Sequence, residues 1–274
     1  MAEIEGLVHA LREGDDAAKT AAVRAVRYPA SWSDKGAIAA AGGVPLLVEL
    51  LRDGSAEAKF EAAVVLRKLT VGYDYRVLIA EAVGIPPLVD LLRDGSAKAK
   101  EEAARALRNL ARNTDANKVA IAEAGGLRPL VDLLRNRNAD ARRYATGALR
   151  YLACNNAANK VAIVEAGGIP PLVDLLRDES DGSSDAKWQA VDTLLRLAAN
   201  NDANVVAIAM TVGLEALVEL ARRGRVTVDS WTVEWNASVL AKRKAALLVA
   251  ALLEATAPRT RVSRYIKAAI GSYL

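Results

Sequence analysis

The feature that most constrains this chain is that it repeats itself. A unit reading NKVAIAEAGG, then a Pro-containing LVDLLRDG, then an Ala-rich stretch ending ALRNLA recurs along most of its length. The second Gly of each corner falls at Gly43, Gly84, Gly126 and Gly168, and more weakly at Gly213. The first three intervals are 41, 42 and 42 residues; the last is 45, because Asp178 to Lys187 (DESDGSSDAK) carries three more residues than Asp94 to Lys100 (DGSAKAK). One such unit cannot bury its own apolar face, whereas stacked units share a continuous core. Ala, Leu and Val dominate the apolar half of the chain, and aromatic residues make up only 4%. Ala and Leu favour helix, so the repeat is predicted to be all-α.

Each unit reads as three helices. The first is short, as in Asn117 to Ala124, and ends at Gly125 and Gly126, where a left-handed cap suits glycine. The second opens at Pro86-Pro87, which the first helical turn tolerates, and ends at Asp94-Gly95. The third begins at the N-cap residue Ser96 and runs to about Arg112. The expected organisation is one repeat domain over 1–274. It has a partial unit at 3–30, repeats at about 33–71, 74–113, 115–155 and 157–200, a divergent unit at about 202–257 and a tail at 258–274.

GGIPPLVDLLRD (Gly167 to Asp178) and ALRNLA (Ala106 to Ala111), recurring in register, resemble the armadillo repeat. HEAT repeats share the period of about 40–47 residues and are the alternative. The resemblance implies a right-handed superhelical solenoid whose third helices line a concave groove that binds another macromolecule.

Stepping about 100° per residue from Glu101 gathers Ala103, Ala104, Ala106, Leu107, Leu110 and Ala111 into one apolar arc. Leu107 matches Val26, Leu66, Leu149 and Leu194, the predicted core. The opposite face varies between units. The Glu101 position holds Thr20, Phe60, Arg143 and Trp188. The Arg105 position holds Arg24, Val64, Gly147 and Asp192. The Asn109 position holds Tyr28, Lys68, Tyr151 and Arg196. Aromatic and Arg residues are the types that carry interface energy. Arg24, Tyr28, Phe60, Val64, Lys68, Glu101, Arg105, Asn109, Arg143, Tyr151, Trp188, Asp192 and Arg196 are therefore the candidate partner-binding residues. A competing explanation has Phe60 and Trp188 covering seams between repeats, and Arg27, Arg67, Arg108 and Arg150 complementing helix C-termini.

Nuclear import adaptors of the importin-α type carry a ladder of groove Trp and Asn. Here the Trp position holds Arg24, Val64, Arg105, Gly147 and Asp192, and the Asn position keeps only Asn109. An Arg-rich groove looks more like that of β-catenin, which implies an acidic extended partner.

Catalysis has no visible constellation. His9 is the single histidine and Cys154 the single cysteine, too few for a triad or a zinc site. The Gly pairs follow helices rather than strands, which removes a dinucleotide fold. No enzyme activity, cofactor or metal is expected. The formal charge of +4 is modest for a nucleic-acid binder, so single-stranded nucleic acid and a structural role in a larger assembly stand as the alternatives to an adaptor. One cysteine excludes an internal disulfide and suits a reducing compartment, so the cytoplasm is expected, with the nucleus possible. No secretory leader is visible at the start. The longest apolar stretch, Ala245 to Leu253, falls short of the ~20 residues of a membrane span. Arg225 to Asn236, with Trp231 and Trp235, alternates like an extended segment, and Arg259, Arg261, Arg264 and Lys267 form a basic tail.

Overall fold

The computed structural model describes residues 2–26, 32–177 and 184–201, with positions 203, 204, 207, 208 and 211; among these there are fourteen α-helices and no strand. Arg27, Tyr28, Gly213, the segment Arg225 to Asn236 and the basic tail lie outside the described residues. The chain divides into unit 1 (Met1–Leu130) and unit 2 (Val131–Leu274).

Unit 1 opens with the pair α1 (Ala2–Glu13) and α2 (Asp16–Ala25). Two three-helix repeats follow: α3 (Trp32–Ala40), α4 (Gly43–Asp53) and α5 (Ala56–Leu69), then α6 (Tyr73–Glu81), α7 (Ile85–Asp94) and α8 (Ala97–Ala111). The next repeat begins with α9 (Asp115–Glu123), and the division into units falls within α10 (Leu127–Leu133). Unit 2 contains α11 (Ala139–Leu152), α12 (Ala157–Glu165), α13 (Ile169–Arg177) and α14 (Ser184–Ala198).

Local chemistry explains these boundaries. Ser96 caps α8 by accepting from the Ala99 N–H at 3.3 Å, and Ser55 caps α5 through Ala58 at the same distance. In unit 2, Asn138 does this for α11, accepting from Asp140 and Ala141 at 2.8 and 3.2 Å. Each such cap satisfies a donor that the first helical turn leaves orphaned, typically contributing about 1 kcal/mol.

The glycine pair at the end of α9 has two separate causes. Gly125 adopts φ +77, and its N–H reaches the Ala122 carbonyl while that of Gly126 reaches Ile121, both at 2.9 Å. This is a Schellman closure, which favours glycine at the left-handed position. Gly126 is required by space: a Cβ there would stand 2.9 Å from Ile121 Cγ2 and from the Ile121 carbonyl oxygen. At the end of α6 the same turn is made with Val83 at φ 57, a conformation that costs a side-chain-bearing residue roughly 1–2 kcal/mol.

The predicted core positions are buried. Leu66, Leu69, Leu107 and Leu110 in unit 1, and Leu149, Leu152, Leu194 and Leu197 in unit 2, expose none of their surface. The third helices are also closed at their C-terminal ends by polar groups from elsewhere in the array. The Asn117 amide donates to the Leu110 carbonyl at 3.0 Å, Asn159 to Leu152 at 3.1 Å and Asn204 to Leu197 at 3.0 Å. Within single repeats, Arg76 donates to the Asn109 and Arg112 carbonyls at 3.3 and 2.5 Å, and Lys160 to Ala199 at 2.7 Å. Cations at carbonyl ends complement the helix dipole.

Candidate functional site

In unit 1 the third-helix face is organised by ion pairs that cross repeat seams. Arg24 of α2 pairs with Glu57 and, at 3.3 Å, with Glu61, both on α5. The Glu61 hydrogen bond, followed by Glu57, holds the Arg24 guanidinium above the usual arginine range. Arg67 of α5 pairs with Glu102 of α8, and both side chains are mostly buried. The Asn109 amide donates to Thr70 Oγ1 across the same seam at 2.9 Å. Phe60, Lys68, Glu101 and Arg105 are half-buried on this face, while Arg24 is exposed.

The face in unit 2 is built differently. Arg150 of α11 places its guanidinium carbon 4.3 Å from the Tyr151 ring and 4.9 Å from the Trp188 ring of α14. Its Nη1 lies 3.4 Å from Asp192 Oδ2, and the same oxygen accepts from Arg196 Nε at 2.9 Å. Burial pulls the Arg196 guanidinium down, but the Asp192 bond and charge outweigh it, and with a further bond to Cys154 they raise it above its ordinary value. Arg143 stands 3.0 Å from Asp140 and 3.7 Å from Asp185, lies 4.9 Å from the Tyr144 ring and donates to the Tyr144 hydroxyl at 3.0 Å. Desolvation works against its charge, and Tyr144 and then the two aspartates overcome it, so Arg143 too is held above the usual range.

One expectation is corrected and one competing explanation is narrowed. Val64 and Asp192 do not project away from the core: they are 2% and 4% exposed, and the equivalent Gly147 is buried too. The position lies at the margin of the apolar arc, where a short side chain is covered by packing that the long Arg24 and Arg105 outreach. The ladder arginines Arg67 and Arg150 are also not simply aimed at helix C-termini. They reach carboxylates on the third helix of the following repeat. Tyr144 was not among the candidates; the only hint in the sequence is its place beside two arginines, Arg142 and Arg143. The paired acids were visible as residues, but separations of 33 to 42 positions hide the partnerships.

His9 is exposed on α1 and Cys154 is half-buried near the end of α11. Among the described residues no group of three or more His, Cys, Asp or Glu side chains is placed to hold a metal ion. None of their helices is long and apolar enough to cross a membrane.

A repeated three-helix unit with glycine corners and a variable third-helix face defines a class of helical repeat scaffold. The model of the armadillo/beta-catenin-like repeat matches residues 34–71, 73–112, 114–154 and 156–187. This chain belongs to the armadillo repeat family. The solved structures agree. An engineered protein superimposes with a TM-score of 0.75 at 30% identity, covering 90% of this chain and 98% of its own. A computationally designed armadillo repeat protein for modular peptide recognition gives 0.76 at 25% identity, with 92% and 99% covered. A designed armadillo repeat protein in complex with the peptide (KR)4 gives 0.72 at 27% identity, with 88% and 99% covered. No curated protein matches the chain.

Proposed function

We propose that this armadillo scaffold is an adaptor that binds an extended peptide segment carrying acidic side chains. The reading rests on the charge of the third-helix face in unit 1. Arg24, Arg67, Lys68, Arg105, Arg108 and Arg112 stand there against Glu57, Glu61, Glu101 and Glu102, six cations to four carboxylates. Pairing does not alter net charge, so six cations against four carboxylates leave the face positive whichever of them are paired. Such a surplus attracts an acidic strand chiefly by raising its association rate. Peptide binding by designed relatives supports the peptide class. The (KR)4 ligand of one of them is the opposite in sign, which makes it the natural challenger.

Fluorescence anisotropy with a labelled Glu-Ser repeat peptide and with labelled (KR)4 separates the two. The acidic peptide should bind more tightly, and its affinity should fall as salt rises, because exposed charges are screened over about 10 Å at 0.1 M. Reversing Lys68 and Arg105 to Glu together should weaken it about tenfold. Tighter binding of (KR)4 overturns the acidic reading. Preference for a single-stranded oligonucleotide with a steep salt slope would replace the adaptor with a nucleic-acid binder.

A further inference from the structure

The third-helix face of unit 2 does not share the charge surplus of unit 1. Its arginines Arg143, Arg150 and Arg196 are matched by Asp140, Asp185 and Asp192, and every one of the three has a carboxylate within 3.7 Å. The central group is the most enclosed: the Arg150 side chain is 11% exposed and that of Asp192 5%. An incoming carboxylate would have to take guanidinium hydrogen bonds away from Asp192, whose own charge would then be left buried and poorly paired. An incoming lysine would meet rings already carrying a guanidinium, since Arg150 lies against both Tyr151 and Trp188. Neither charged class gains there.

The rings themselves remain available in part. Tyr151 and Trp188 are both half-buried rather than covered, and they come from successive repeats, so that Arg150 is flanked by aromatic surface on two helices. In unit 1 the Tyr151 position is Tyr28, Lys68 or Asn109, and the Trp188 position is Thr20, Phe60 or Glu101. Among the described residues, the Arg67–Lys68–Glu101 seam of unit 1 does not repeat the Tyr–Arg–Trp arrangement. Rigid aromatic surface around a pre-positioned guanidinium favours offset stacking with a further planar ring, which adds to the contact without disturbing the ion pairs.

From the two rings and the carboxylate around Arg150 we infer that the unit 2 face is a selectivity site for an uncharged aromatic side chain of the bound segment, Phe, Tyr or Trp, and that Asp192 is the residue that excludes acids from it. This deepens the peptide-binding reading and rests on it for the extended form of the ligand. Asp192 acts through Arg150 and Arg196, as a positioning residue.

Guest-residue peptides test the inference. One series has a Gly-Ser host with a single Phe, Glu or Lys, and a second has the same guests in a Glu-Ser host. Binding is followed by the two-dimensional NMR signal of the Trp188 indole, assigned by its loss in Trp188→Phe. In both hosts the Phe guest should move the Trp188 signal and bind about three- to tenfold tighter than the Glu or Lys guest. That advantage should vanish in Tyr151→Ala and in Trp188→Ala. Asp192→Asn, which keeps the shape and removes the charge, should raise the affinity of the Glu guest alone. A Glu or Lys guest that binds as well as Phe overturns the inference, as does a Phe advantage that survives both ring deletions. If the Glu-Ser host fails to bind but the Phe guest in Gly-Ser still moves Trp188, the acidic reading fails and the selectivity site stands. If the acidic host binds and no guest moves Trp188, the outcome is the reverse.

Discussion

At one rung of the array the two units solve the same problem in different ways. In unit 1, Arg67 meets Glu102 on the neighbouring third helix. In unit 2 the matching arginine, Arg150, lies between Tyr151 and Trp188 and shares Asp192 with Arg196. The place of Glu102 is taken there by the neutral Gln189, and the carboxylate has moved one helical turn along, to Asp192. With Tyr151 and Trp188 where that seam of unit 1 has Lys68 and Glu101, the guanidinium is flanked by rings while it meets its acid one turn further on. One repeat framework can therefore present charge in one place and aromatic surface in another without altering the core beneath.

If the faces differ while the cores do not, the largest effects should be the same in both units. Leu107→Ala and Leu149→Ala each remove a fully buried side chain and should each cost about 2–5 kcal/mol in chemical denaturation. A cost near zero in either unit would mean that its helices face otherwise than described. Next come the seams themselves. A double-mutant cycle on Arg67 and Glu102 should give a coupling of about 1–2 kcal/mol that shrinks as salt is added. The Arg150–Trp188 cycle should give about 0.5–1 kcal/mol and be nearly salt-independent. Equal salt dependence in the two cycles would erase the contrast.

Smaller still is the effect at the strained corner of unit 1. Val83→Gly should stabilise the protein by about 1 kcal/mol, since it relieves a left-handed valine at the cost of some backbone entropy, whereas Gly167→Ala in unit 2, at φ +77, should destabilise it. Thermal melts of both variants check the pair of signs. The smallest expected effect is at Asp16, whose carboxyl is held below its usual 3.8 by hydrogen bonds from Ser55. A lowered folded value means that this contribution is complete above the unfolded value and is lost as pH falls through the folded one. Carbon-detected NMR titration should find Asp16 still ionised where free aspartate is half protonated, and Ser55→Ala should move it upward.

Much of the fold was legible because it rests on periodic, local chemistry. The repeat spacing, the Ser96 cap, the Gly125–Gly126 corner and the leucine arc around Leu107 are all set by neighbours a few residues away. The candidate site was legible in composition but not in arrangement. A helical wheel drawn on one third helix cannot say how far the next one overlaps it, which is why Val64 and Asp192 were placed on the open face. The Arg-rich composition likewise does not show which arginines are paired, because Arg24 finds Glu57 and Glu61, and Arg150 finds Asp192, only after repeats are stacked. The recurring Asn of NKVAIAEAGG was visible as a pattern, yet nothing in the string assigns its amide to the carbonyl of a leucine seven positions earlier.

That last bond gives the array a direction of growth and of damage. Asn117 belongs to the repeat after the helix it closes, and so do Asn159 and Asn204, whereas the cations Arg76 and Lys160 serve helices of their own repeat. Deleting a repeat from the leading side leaves the next repeat's Asn amide without its acceptor, but a side-chain amide at the new end can turn out to water. Deleting one from the trailing side strands a leucine carbonyl at the end of the previous third helix. Lineages that lengthen or shorten such arrays should accordingly find the two edits unequal, with trailing losses tolerated only where a substitute donor, or water, can reach the exposed carbonyl.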